Sequence, residues 1–284
     1  MVVATRPKQW PKNTLVLAVP FAAGEFTDWS IMKIAILAML VFTVLSAGVY
    51  VANDIRDIDE DRVHPRKSRR PFAAGELSRT TGVVMCSVLV VAALTAAYFI
   101  AMDFLVLCVA YLAIQAAYVF YLRSVVLLDI TVIASGFLLR ALAGGLATDL
   151  PISDWFLLVI ASSSLFVAAG KRFADLLHHS TVQDGIPSRA SLHDYTETYL
   201  RALITIVAGL AIVFYALWAI VGTAHSNAWA TASILPFSLG ILEYLRRVDR
   251  GETGTPEAAL LHDRGLQLVG LAWLVCLAIS VTAT

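Results

Sequence analysis

The stretch "VANDIRDIDEDRVHPRKSRRPFAAG", Val51–Gly75, joins two long apolar runs and sets acids ahead of bases. Asn53, Asp54, Asp57, Asp59, Glu60 and Asp61 come first, then Arg66, Lys67, Arg69 and Arg70. Asp54, Asp57 and Asp61 are spaced i, i+3, i+7, which on a helix projects all three from one face. Asn53 borders that face, whereas Asp59 and Glu60 point elsewhere. Three carboxylates stacked in two turns repel one another unless cations lie among them. A few hard oxygen ligands, with the rest of the shell left to water and phosphate, is the usual Mg²⁺ arrangement. The stretch therefore reads as a Mg²⁺–diphosphate site with Asp54, Asp57 and Asp61 as metal ligands. A solvated helix end whose acids neutralise nearby arginines is the plain alternative. The basic run offers guanidinium forks and a lysine point charge for phosphate oxygens, with Arg66, Lys67 and Arg70 as candidate contacts. Its alternative is anchoring against anionic lipid headgroups.

The surroundings of this stretch decide the fold class. The chain has 284 residues, of which 59% are hydrophobic and 15% charged, where a soluble domain carries about 25% charge. Mean hydropathy is +0.77. About 20 apolar residues of helix cross a bilayer core. Eight stretches qualify: 30–52, 80–101, 103–121, 126–147, 154–170, 197–222, 229–246 and 266–283. A ninth, 11–24, is short and contains Pro20 and Gly24; it either spans with its flanks or is re-entrant. The expectation is an all-α polytopic membrane protein, a nine-helix transmembrane bundle with a cytoplasmic polar cap, forming one domain over 1–284.

Lysine and arginine orient the bundle. With the N-terminus inside, Arg6, Lys8, Lys12, the seven basic residues of 53–79, Arg123, the 171–196 loop and the 246–264 loop all face the cytoplasm. Lys33 is the exception at an outer helix end. The expected location is a bacterial plasma membrane, multi-pass, with the working face inside. Formal net charge is zero, and nothing points to nucleic acid. Cys86, Cys108 and Cys276 fall in apolar runs and read as small core residues. No cleavable signal peptide is expected. Neither a P-loop nor an HExxH pattern is present, and no catalytic triad can be inferred.

A second polar cluster lies in "AAGKRFADLLHH". Lys171 and Arg172 stand at the inner end of the sixth long apolar run, counting 11–24 as the first, and Asp175 is four residues after Lys171; Asp184, Arg189, Asp194 and Tyr195 follow. A Lys/Arg pair with a carboxylate one turn on can grip a second phosphate or help hold a metal. Snorkelling helix ends with an i, i+4 pair is the equal alternative. Arg140, in "GFLLRALAGG", is an intramembrane charge, and such charges face a cavity or a partner. It reads either as a structural ion pair, with Asp129 on the same face, or as an anion-binding group on a lipid-accessible pocket. Gly136, Gly144 and Gly145 are expected to let helices approach closely.

These segments together resemble the UbiA-type superfamily of intramembrane prenyltransferases, and within it the decaprenyl-phosphate phosphoribosyltransferase branch of mycobacteria and relatives. The resemblance runs nearly the whole chain: "RPKQWPKN", "NDIRDIDEDRVHPRKSRRPFAAG", "LLRALAGG", "GKRFAD", "SRASLHDYTETYL" and "GTPEAALLHDRGLQL". Asp175 stands where that pattern leads one to expect Glu, which shortens its reach. The resemblance implies transfer of the phosphoribosyl group of phosphoribosyl diphosphate to a polyprenyl phosphate, with release of diphosphate, toward arabinose donors for envelope arabinans. It implies Mg²⁺ as cofactor. It places Asp54, Asp57, Asp61, Lys171 and Arg172 in the catalytic group, and Lys12, Asn13, Asn53, Arg66, Lys67, Arg70, Arg140, Asp175, Arg189 and Tyr195 against substrate. The acceptor is already an anion, so no general base is required. Homo-oligomerisation stays open. Two alternatives remain: an aromatic prenyltransferase using a polyprenyl diphosphate, disfavoured by "GKRFAD", and a non-enzymatic lipid-phosphate carrier, which needs a continuous polar path.

Overall fold

Helix follows helix along the chain because most apolar runs are long and free of interior proline, and several open on a capping residue. A computed structural model describes residues 2–63, 67–122, 125–181, 195–222, 227–252 and 263–282, with backbone only at 178–181. A 3₁₀ helix, Pro7–Leu17, leads into α1 (Ala18–Ala22). Then come α2 (Trp29–Arg56), the short α3 (Ile58–Val63), α4 (Arg79–Ile100) and α5 (Met102–Phe120). After them follow α6 (Leu128–Thr148), α7 (Asp154–Thr181) and α8 (Glu197–Leu217). The last are α9 (Ala228–Ala232), α10 (Ile234–Asp249) and α11 (Arg264–Thr282). Among the described residues eight helices are long and apolar enough to cross a membrane, counting α9 with α10 as one. The chain is thus all-helical and multi-pass.

The caps are local and legible. Asp28 Oδ1 accepts from the Ser30 and Ile31 amides at 2.8 and 3.4 Å, opening α2. Ser78 opens α4 through the Thr81 amide, Thr196 opens α8 through Tyr199, and Asn227 opens α9 through Trp229 and Ala230. Each satisfies amides that a helix start leaves without carbonyl partners.

Three boundaries differ from the sequence expectation. The N-terminal segment, expected as a short helix over 11–24, begins at Pro7 and winds mostly as 3₁₀. The Pro11 ring would crowd the carbonyl of residue 7 in an α turn, which disfavours that winding there. Eleven residues at about 2.0 Å and five at about 1.5 Å reach about 30 Å, the thickness of a hydrocarbon core. Second, α7 runs on to Thr181, so Lys171 and Arg172 lie inside the helix rather than at its end. Third, the last turn of the 197–222 run is a π-helix, Trp218–Gly222.

The chain divides into two compact units: Met1–Phe21, Glu25–Phe120 and Leu139–Leu150 in one; Ala22–Gly24, Tyr121–Leu138 and Pro151–Thr284 in the other. In the first, Phe42 and Leu45 of α2 pack with Ala93 and Ala97 of α4, Phe104 and Tyr111 of α5, and Ala143 of α6. Here Gly144 meets the N-terminal segment so closely that a Cβ would fall inside the Val16 carbonyl. In the second, Phe166 and Phe173 of α7, Leu200 and Ile204 of α8 and Val248 of α10 form the core. Large apolar side chains such as Val84, Val88, Val91 and Phe99 of α4 remain exposed, the pattern of a surface that faces lipid.

Candidate functional site

The acidic stretch folds as a helix with one break. Asn53 and Asp54 end α2, Asp57 caps it, and α3 resumes at Ile58. The Asp57 amide still donates to Asn53 O at 3.0 Å and the Asp61 amide to Asp57 O at 2.8 Å, so the turn-by-turn stacking persists. Asp54 and Asp61 are buried at 2% exposure each. One guanidinium joins them: Arg70 Nη1 donates to Asp54 Oδ1 at 3.2 Å and to Asp61 Oδ2 at 2.6 Å. Arg6 Nη2 also donates to Asp54 Oδ1. Both arginine side chains are 28% exposed, so the acids form the floor and the bases the rim. Asp59 points away, exposed and paired with Arg62 and Arg79.

Arg6 adopts φ 52°, left-handed for a non-glycine residue, while its guanidinium lies 5.3 Å from the Tyr50 ring centre. Such conformations cost about 1–3 kcal/mol and persist where the surroundings hold them. The Asp54 contact is one such restraint.

The donor set suits a hard cation. Asp54, Asp57 and Asp61 bring carboxylate oxygens, and Asn53 Oδ1 is buried with no hydrogen-bond partner. Among the described residues no three His, Cys, Asp or Glu side chains converge. Mg²⁺ commonly takes only one or two carboxylates and completes its shell from water and phosphate. Of the other predicted residues on this side, Lys12 and Lys67 are half-buried and Asn13 is buried. Arg66 lies outside the described residues.

Arg140 is enclosed rather than open. It is 6% exposed, and its Nε donates to Asn13 Oδ1 at 2.8 Å. The guanidinium carbon sits 5.5 Å from the Phe42 ring centre and 5.7 Å from that of Tyr111. Asn13 Nδ2 donates in turn to Ser46 Oγ at 3.3 Å. This is the geometry of a clamp between α6, the N-terminal segment and α2. It favours the structural reading of Arg140 over an open anion site.

In the second unit, Asp129 rather than Lys171 is the centre. Arg172, 1% exposed, donates from Nε to Asp129 Oδ2 at 2.5 Å and from Nη1 to Asp175 Oδ2 at 3.2 Å. Tyr195 donates its hydroxyl to Asp129 Oδ1 at 2.8 Å and accepts the Leu127 amide at 2.7 Å. Burial first, then the Asp129 carboxylate, hold the Tyr195 phenol well above its ordinary pKa, so it stays a proton donor. The Asp175 side chain is 41% exposed and Lys171 is exposed. Asp175 thus pairs three residues back, with Arg172. Arg189, Asp184 and Asp194 lie outside the described residues. An apolar cavity of about 210 Å³ opens elsewhere in this unit, between Phe166, Phe237 and Trp273, with no charged lining.

The profile of the UbiA prenyltransferase family matches residues 14–278. The chain belongs to this family. Curated relatives match nearly the whole chain. The decaprenyl-phosphate phosphoribosyltransferase of Mycobacterium tuberculosis (strain H37Rv) is 41% identical over 285 residues, covering 99% of this chain and 94% of that protein. The enzyme of that name from Corynebacterium glutamicum is 40% identical over 289 residues, covering 99% and 86%. A solved UbiA homolog from Archaeoglobus fulgidus, bound to GPP and Mg²⁺, superposes with a TM-score of 0.74 at 16% identity, covering 99% and 98%. At that identity the likeness concerns the fold.

Two residues that matter here are hard to single out in the sequence. Arg6 is legible there only as a basic residue of "RPKQWPKN", and its partner lies 48 residues away. Asp129 reads there as a partner for Arg140; an acid in the first turn of an apolar helix is the available signal.

Proposed function

We propose that the chain transfers the phosphoribosyl group of phosphoribosyl diphosphate to a polyprenyl phosphate, releasing diphosphate. The observation that carries this is identity of about 40% along the full chain to curated decaprenyl-phosphate phosphoribosyltransferases. In the reaction a phosphate oxygen of the lipid forms a bond to the anomeric carbon of ribose. The bond from that carbon to the diphosphate oxygen breaks, and diphosphate leaves with the electron pair. The attacking oxygen is already ionised, so no proton has to be removed.

The chain's own groups supply charge and position. One or two carboxylates of the set Asp54, Asp57 and Asp61, with the Asn53 amide oxygen beside them, would hold Mg²⁺, water and phosphate completing its shell. When bound, such an ion neutralises charge on a leaving diphosphate. Arg70 and Arg6, partly solvated and already aligned on Asp54, present guanidinium edges at the rim for phosphate oxygens. Arg66 and Lys67 extend that basic rim along the sequence. Lys171 offers a point charge and Asp175 a carboxylate from α7, with Arg189 farther along the chain. Catalysis of this kind rests on orientation and preorganised charge. The donor is soluble and rich in phosphate, and the basic residues gather on the face that the positive-inside rule makes cytoplasmic. A plasma-membrane enzyme with its donor site inside follows.

Purified protein in lipid nanodiscs, given labelled phosphoribosyl diphosphate, polyprenyl phosphate and Mg²⁺, should yield a labelled lipid. Prenyl transfer from a polyprenyl diphosphate to an aromatic acid, with no phosphoribosyl lipid formed, would overturn the assignment. Lipid movement across vesicles without any donor would favour a carrier.

A further inference from the structure

We infer that Asp129 is a positioning residue for the transfer reaction, acting through the buried Arg172 to fix the exposed carboxylate of Asp175. Arg172 has 2% of its side chain exposed and Asp129 none, so this guanidinium is enclosed away from a soluble donor. Its outlet toward solvent is Asp175, 41% exposed, held through Arg172 Nη1 at 3.2 Å. With Oδ2 pinned, Asp175 presents Oδ1 in a set direction.

The arrangement is over-determined for a helix-packing device. Asp129 sits in the first turn of α6 and Arg172 in α7; Tyr195 stands two residues ahead of α8. Tyr195 donates to the other Asp129 oxygen and itself accepts the Leu127 amide. A buried ion pair is weak evidence for stability, because apolar side chains of similar volume serve as well. Hydrogen bonds that tie such a pair to groups on either side, here Tyr195 and Asp175, do restrain the side chains that make them. The chain Tyr195, Asp129, Arg172, Asp175 ends at a solvent-facing carboxylate, and positioning is what such a chain delivers. Counting Asp129 and Asp175 as negative and Arg172 as positive, the group carries one net negative charge at its exposed end. Phosphate contact in this cluster therefore falls to Lys171, and Asp175 takes a cation or a sugar hydroxyl.

This rests on the proposed phosphoribosyl transfer, and the test separates the two. Wild-type protein that forms no phosphoribosyl lipid defeats the reaction, not the relay. If wild type is active, Asp129→Asn should lower kcat/KM for the donor about 10–100-fold, with KM for the lipid unchanged. Tyr195→Phe, a milder change, should lower it less while the protein stays folded. In an Asp175→Asn background, Asp129→Asn should add less than about a twofold loss, since both act through one carboxylate. The pair Asp129→Asn with Arg172→Gln should regain thermal stability without regaining donor kcat/KM. Full multiplication of the Asp129 and Asp175 effects, or recovery of kcat/KM together with stability, would overturn the positioning role. So would wild-type donor kinetics in folded Asp129→Asn.

Discussion

At the residue scale, two arginines share one buried carboxylate, and the sign of that arrangement is testable. Asp54 has 2% exposure, whereas Arg6 and Arg70 are partly in water. Asp54→Asn removes the charge but keeps the shape, so its stability cost is expected at about 1–3 kcal/mol, below that of a fully enclosed broken pair. Turnover should fall by at least about a hundredfold, because electrostatic stabilisation at the leaving group is lost. Initial rates and thermal unfolding on one preparation measure both; near wild-type turnover would remove Asp54 from the site. Arg140 answers to a different rule. Its Nε meets Asn13, and its guanidinium lies over the Phe42 and Tyr111 rings. Arg140→Lys should therefore fail to restore the clamp, since an ammonium has neither the fork nor the planar face. A lower unfolding temperature for Arg140→Lys, with donor KM unchanged, is the expected result. The sequence makes Arg140 visible as a charge in an apolar run. It does not show the partner, because Asn13 lies 127 residues away and carries no charge to advertise the pairing.

At the element scale, the close approach at Gly144 ties α6 to the N-terminal segment. Gly144→Ala would drive a methyl into the Val16 carbonyl and should destabilise by about 1–3 kcal/mol. At Gly209 of α8 an added Cβ would meet nothing within 4 Å, so Gly209→Ala should be neutral or gain up to about 1 kcal/mol of helix propensity. A lower unfolding temperature for Gly144→Ala beside an unchanged or higher one for Gly209→Ala is the signature; equal losses would refute the packing argument. The α2 cap gives a pH dependence. The Ser30 hydroxyl first, then the Ser30 amide, hold the Asp28 carboxyl below its usual range. A depressed folded pKa contributes stability above the unfolded value of about 3.9 and loses it as pH falls through the folded value. The stability gap between wild type and Asp28→Ala should thus shrink below about pH 4, and a gap constant with pH would contradict the cap. Caps and apolar runs are legible in the sequence because each needs only four to twenty neighbouring residues. The extension of α7 past Lys171 is not: the charged turn looks like a helix end unless the Asp129 partner is known.

At the scale of the whole molecule, the distribution of positive charge and the length of the N-terminal segment bear on the same question. All lysines and arginines except Lys33 and Arg140 fall at chain positions that one alternation of crossings places on a single side. That alternation requires 7–22 to cross. Its reach of about 30 Å is sufficient, even though 3₁₀ winding and its prolines exclude it from the eight apolar α-helical spans. A re-entrant segment would instead return Lys8 to the side of Thr27. The two arrangements differ at one accessible position. In a variant lacking the three native cysteines, a cysteine at Lys8, Thr27 or Glu76 sits at an exposed residue in each case. Because α2 crosses between Thr27 and Glu76, these two must label from opposite faces of sealed vesicles. Lys8→Cys should label with Glu76→Cys, from the cytoplasmic face. Labelling with Thr27→Cys would make the segment re-entrant. It would also turn the basic cluster Arg6, Lys8 and Lys12 outward, and it would require Arg6 to reach Asp54 from the far side of the bilayer, which a single side chain cannot do.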